Sequence, residues 1–100
     1  MSNNIPQKTR QEVYDRADYR CEICGDIRID GIHHVIKRRH RNHRAEALIL
    51  LCPKCHRLAE QEHKLGRKLK LRLQRYYEGE GYSEDKIRRL MGGRLYFEEG

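Results

Sequence analysis

Seven side chains in this sequence have the types and spacing that metal chemistry requires. Cys21-Glu22-Ile23-Cys24 is followed by His33-His34 and then by Cys52-Pro53-Lys54-Cys55-His56. Two Cys-x-x-Cys knuckles can place four thiolates around one tetrahedral zinc. That reading leaves the three histidines over, in the stretches such an ion would draw together. A structural ion that clamps two loops, with spare imidazoles beside it, points to a second, chemically active centre.

Other readings of the cysteines make different demands. In a secreted chain four cysteines would form two disulfides, with three possible pairings. The stretch from Met1 to Arg10 lacks the apolar core of an export leader, and no later run is long enough to span a bilayer. A thioredoxin-like redox site uses one such pair on a βαβ unit, whereas here there are two, with a histidine appended. The expectation is structural zinc on Cys21, Cys24, Cys52 and Cys55 in a cytoplasmic protein with no membrane partner.

The composition makes a metal staple necessary. Among 100 residues only 37% are hydrophobic, with no Trp and one Phe. A core of that size is marginal alone, while structural zinc contributes about 10–16 kcal/mol to the folding of small metallodomains. The metal-free chain is therefore expected to be largely unfolded over residues 20–60.

Charge identifies the partner class. There are 22 Lys and Arg against 15 Asp and Glu, a formal net charge of +7. Lys37, Arg38, Arg39, Arg41 and Arg44 fall in one eight-residue stretch, and Lys64, Arg67, Lys68, Lys70, Arg72 and Arg75 form a second cluster. A basic run alone is ordinarily a solvated surface. Two runs flanking one metal centre suit a nucleic-acid backbone, where dense cations release counterions.

The elements that must position these residues follow from local pattern. Residues 1–8 read as a disordered leader, and Thr9-Arg10-Gln11-Glu12 as a capping box opening a short helix from Arg10 to Ala17. Residues 27–36 are rich in β-branched side chains, with Asp30-Gly31 as the turn of a hairpin. Leu48-Ile49-Leu50-Leu51 reads as a short buried strand entering the second knuckle. From Pro53 the pattern is helical. His56, Glu60 and His63 share one face, and Leu58, Leu65, Leu69 and Leu73 form a separate apolar stripe. Gly66 is the expected bend, Ser83 an N-cap, Gly92-Gly93 a helix stop, and residues 94–97 a packed strand or partner-binding end.

On Arg20-Cys21-Glu22-Ile23-Cys24-Gly25, His33-His34-Val35-Ile36 and Leu50-Leu51-Cys52-Pro53-Lys54-Cys55-His56, the chain resembles the four-cysteine form of the HNH endonucleases. The resemblance covers about residues 9–63. It implies an α+β fold, a small zinc-stapled ββα-metal domain at 9–63 with an N-terminal helix; the pattern beyond it reads as a basic helical extension at 64–100 belonging to the same domain. It further implies that His34 is the general base, an imidazole that is neutral and able to accept a proton at pH 7. His33 and His56 would hold a catalytic divalent ion (Mg²⁺, Mn²⁺, Ni²⁺ or Zn²⁺), with Glu60 and His63 as candidate further ligands. Hydrolysis would leave a 5′-phosphate and a 3′-hydroxyl.

The implied partner is DNA, held by Lys37, Arg38, Arg39, Arg41, Arg44, Lys64, Lys68 and Arg72. The expected state is a monomer or weak homodimer, with a larger phage or host complex as the alternative setting. The central asparagine of the family falls at Ala47, a loss expected to cost about 1–3 kcal/mol of local order. Asn42 lies five residues earlier, inside the basic loop, and is not assumed to substitute. A non-cleaving, zinc-stapled nucleic-acid-binding module is therefore the second expectation.

Overall fold

Leu48–Leu51 is an uninterrupted apolar run that no exposed position could tolerate, and it forms the inner strand of the molecule. The computed structural model describes residues 5–37 and 42–97, and for His63 the backbone only. Within them the order is α1 (Gln7–Ala17), β1 (Gly31–His34), a 3₁₀ turn (Ala45–Ala47), β2 (Leu48–Leu51), α2 (Pro53–Gln61), α3 (His63–Gly79) and α4 (Glu84–Leu90). This is a small α+β fold with four helices and a two-stranded sheet among the described residues.

The strands pair antiparallel with Gly31 opposite Leu51, Ile32 opposite Leu50, His33 opposite Ile49 and His34 opposite Leu48. Side chains alternate across a strand, so the register sorts the sheet into two faces. Ile32, Leu48 and Leu50 meet Ile5 and Val13 on the α1 side. Ile49 and Leu51 face the other way, into a core with Cys52, Ala59, Leu69, Leu73, Tyr77, Ile87, Met91 and Tyr96. All four residues of β2 are buried, as a strand covered on both faces requires.

α1 is tied to β2 through the first knuckle. Glu22 pairs with Leu50 through its backbone N–H (2.9 Å) and accepts the Leu50 N–H on its carboxylate (2.8 Å). Arg16 grips that carboxylate at 2.6 and 2.9 Å and also reaches the carbonyls of Ala45 and Leu48. The C-terminal third joins the main core. Gln74 clamps Tyr96 by both backbone groups, at 2.7 and 2.8 Å, and Ser83 caps α4 through the Lys86 N–H.

Several local expectations are corrected. α1 begins at Gln7 behind Pro6. Pro fixes the entry φ, and Thr9 and Glu12 become interior helical residues, so the capping box is unused. Ile5 is buried and residues 7–8 are helical, which removes residues 5–8 from the expected leader. Asp30-Gly31 is not a hairpin turn, because Asp30 N–H already bonds Leu51 O and Gly31 opens β1. The strands that pair are instead β1 and β2, separated in the chain by residues 35–47. The helix breaks at Glu62, which is extended, and not at Gly66, whose N–H keeps its bond to Glu62 O. Residues 94–97 pack as an irregular tail. The basic positions Arg38, Arg39 and Arg41 lie outside the described residues. No helix among the described residues is long and apolar enough to cross a membrane.

Candidate metal centres

The two knuckles converge because Glu22 is laid against Leu50, two residues ahead of Cys52. The four Sγ atoms lie within 4.8 Å of one another, with Cys24 and Cys52 at 3.6 Å. Sulfurs about 2.3 Å from a tetrahedral zinc stand about 3.8 Å apart, so the cluster fits that ion. Backbone N–H groups already point at sulfur, Ile23 at Cys21 (3.5 Å) and Cys55 at Cys52 (3.4 Å). Cys52 caps α2, and Pro53 at its first position needs no donor of its own.

The thiols differ sharply. Burial acts to raise Cys21, but N–H groups from Cys24, Cys52 and Ile23 prevail and bring it down to about 6. Burial, followed by the neighbouring thiols, drives Cys55 well above its ordinary value. Cys24 is also raised: the Asp26 backbone pulls it down, but Cys52 and burial outweigh that pull. Four thiols in this space cannot all ionise unaided, and the positive charge of a bound ion would remove that conflict.

A second donor set stands on the other side of α2. His33 alternates with Ile32 and so projects toward α2, where His56 and Glu60 are one turn apart. Glu60 Oε2 lies 3.4 Å from His33 Nδ1 and 3.5 Å from His56 Nε2. Ligands 2.0–2.2 Å from a tetrahedral ion are separated by about 3.3–3.6 Å, so these gaps fit one cation. His33 is 5% exposed, and its Nδ1 is buried with no hydrogen-bond partner. Buried ring nitrogens are ordinarily satisfied, and this one is aimed at the other two donors. Burial first, and the Lys37 charge second, hold the His33 ring down at about 4, so it is neutral at pH 7 as a ligand must be. Glu60 is lowered chiefly by Lys37, whose ammonium it pairs with.

His56 is oriented from behind. Its Nδ1 lies 2.6 Å from Asp30 Oδ2, which favours the tautomer with the proton on Nδ1 and leaves Nε2 free to ligate, the usual carboxylate–histidine–metal relay. Asp30 is placed by its own N–H bond to Leu51 O, level with the start of α2.

His34 goes the opposite way. As the last residue of β1 it lies on the α1 side, 6% exposed, with Nε2 3.1 Å from His43 Nδ1 and the rings edge-on at 5.0 Å. One nitrogen of that pair must carry a proton and the other accept it. His34 therefore does not join His33, His56 and Glu60 in one donor set.

Asn42, next to His43, is 6% exposed. Its Nδ2 donates to Tyr77 Oη (2.8 Å) and Leu90 O (3.1 Å), and its Oδ1 accepts from Arg44 N (3.0 Å). Ala47 is fully buried, and its carbonyl accepts from Val35 N at 3.0 Å. Ala47 is thus a core position, and Asn42, five residues earlier, makes three hydrogen bonds.

The other basic residues divide. Lys37 stands at the second donor set, and Arg44 lies 3.9 Å from Glu46. Lys64 and Lys68 are exposed on α3 beside Phe97. Arg72 borders a different hollow with Glu12, Arg16 and Tyr76. The break at Glu62 interrupts the helical face that would have carried His63 on from His56 and Glu60. Asp30 carries no motif of its own, and only the β1–β2 register brings it to His56.

Comparison with protein-family models, curated proteins and solved structures returns no match.

Proposed function

We propose that this protein is a metal-dependent DNA endonuclease of the HNH type, hydrolysing phosphodiester bonds. The observation that carries the reading is the His33, His56 and Glu60 set, with ion-sized gaps and an orphaned ligand nitrogen, on a β-strand pair and the helix that follows it. The four-cysteine cluster anchors the N-terminus of that same helix. His33 Nδ1, His56 Nε2 and a Glu60 oxygen would hold a divalent cation, which when bound polarises the scissile phosphate and stabilises the leaving 3′ oxygen. Asp30 keeps the His56 tautomer.

His34 accepts the proton of the attacking water, and His43 orients its ring. Lys37, Lys64 and Lys68 supply phosphate contacts, mostly independent of sequence.

The engagement of His34 with His43, away from the donor set, favours a second reading: a zinc-stapled module that binds nucleic acid without cutting it. Relaxation of supercoiled plasmid separates the two. The zinc-loaded protein with added Mg²⁺, Mn²⁺ or Ni²⁺ is expected to nick, and His34→Ala to lose nicking while still binding. Intact plasmid with every metal, despite binding, would select the module.

A further inference from the structure

One oxygen, Glu60 Oε2, meets three groups. It pairs with the Lys37 ammonium and is the same atom that lies 3.4 Å from His33 Nδ1 and 3.5 Å from His56 Nε2. Lys37 thus supplies positive charge at the donor that would complete a metal site. Lys37, His33 and Glu60 also line one cavity of about 210 Å³ that runs on to Lys70 and Tyr96. A carboxylate oxygen engaged by a lysine is a poorer ligand, and a divalent cation there would repel the ammonium at close range.

We propose that Lys37 is an exchangeable cation. It neutralises Glu60 before the metal binds, is displaced from Glu60 by the metal, and then takes a non-bridging oxygen of the phosphodiester beside the metal. The last step alone rests on the nuclease reading; the exchange at Glu60 stands on geometry. The arrangement has a physical rationale: without a metal the Glu60 carboxylate is neutralised by Lys37, and with one the site gains a cation where substrate charge arrives. Lys37 has the reach for both positions because its ammonium sits on a flexible four-carbon stem.

The test has two arms, both read without cleavage in a His34→Ala background. In the first, calorimetric titration with Mn²⁺ is compared for Lys37 and Lys37→Gln. Removing the resident cation is expected to tighten Mn²⁺ binding about two- to fivefold, the range of a half-exposed ion pair. A lysine that merely supported the fold would give equal or weaker binding when removed, and either result overturns the exchange.

The second arm measures binding to a short DNA duplex against salt concentration. With Mn²⁺ present, Lys37→Gln is expected to reduce the salt slope by about one phosphate contact, and without Mn²⁺ to leave it nearly unchanged. An equal loss in both conditions would place Lys37 on the DNA throughout and refute the exchange. Should the wild-type protein fail to nick plasmid while both arms behave as expected, the nuclease reading fails and the exchange stands.

Discussion

Replacing Asn42 by Ala would remove the brace on the segment that carries His43. Three bonds are lost: two donated by Nδ2, to Tyr77 Oη and Leu90 O, and one accepted by Oδ1 from Arg44 N. Tyr77 retains its bond to Glu46 at 2.8 Å, whereas Leu90 O at the end of α4 and Arg44 N lose a partner in part-buried positions. At about 1 kcal/mol for each bond, with an added penalty where a group stays buried and unpaired, the cost is about 2–4 kcal/mol. For a domain of 100 residues this lowers Tm by roughly 10–25 °C.

The reverse change, Ala47→Asn, puts an amide into a fully buried position and should also cost at least about 2 kcal/mol, through crowding and an unpaired polar group. Urea unfolding of the zinc-loaded proteins, followed by circular dichroism, measures both. An Asn42→Ala variant within about 0.5 kcal/mol of wild type, the range of an inconsequential surface change, would refute the assignment of the brace to residue 42. So would an Ala47→Asn variant as stable as wild type.

Three further outcomes follow from the same structure. Asp30→Ala, which removes the acceptor behind His56, should weaken Mn²⁺ binding at the His33–His56–Glu60 set by about 10–100-fold and leave the cysteine-bound zinc in place; unchanged affinity in a calorimetric titration would discount the relay. His33 titrates at about 4 in the fold and near 6.5 when unfolded, so the unfolded chain takes up the extra proton first and this share of stability is lost as pH falls from 6.5 toward 4. By pH 5 it amounts to about 2 kcal/mol, at about 1.4 kcal/mol per pH unit; His33→Gln should lose that much less between pH 7.5 and 5, and an identical pH profile would argue against a neutral buried ring. Removal of zinc by a strong chelator should collapse the far-UV dichroism of the knuckles, β2 and α2 together, and an unchanged spectrum would show that the cysteines do not hold the fold.

What was legible in the sequence was short-range. The Cys-x-x-Cys spacing, the run Leu48–Leu51, and the turn-to-turn relation of His56 and Glu60 each depend on residues a few positions apart, and the structure brings them together as expected. His33 and His34 show where such reading ends. Adjacent residues in a strand must part, but which one faces α2 is set by the pairing with Ile49 and Leu48. The bonds made by Asn42 were not legible for a related reason. Position relative to the third cysteine gives no information on how the long connection between the strands folds back, and Asn42 finds Tyr77 and Leu90 only because α3 and α4 pack against that connection. Asp30 looked like a turn residue because Asp-Gly is a good turn pair locally, and the ladder bond to Leu51 overrides that preference.

Two separate metal centres in one chain are the central claim. Native mass spectrometry of the protein equilibrated with Zn²⁺ counts them directly. Two ions per wild-type chain are predicted, with one in a His33→Ala, His56→Ala variant, retained on the four cysteines. A single ion on the wild type, or two on the variant, would contradict it.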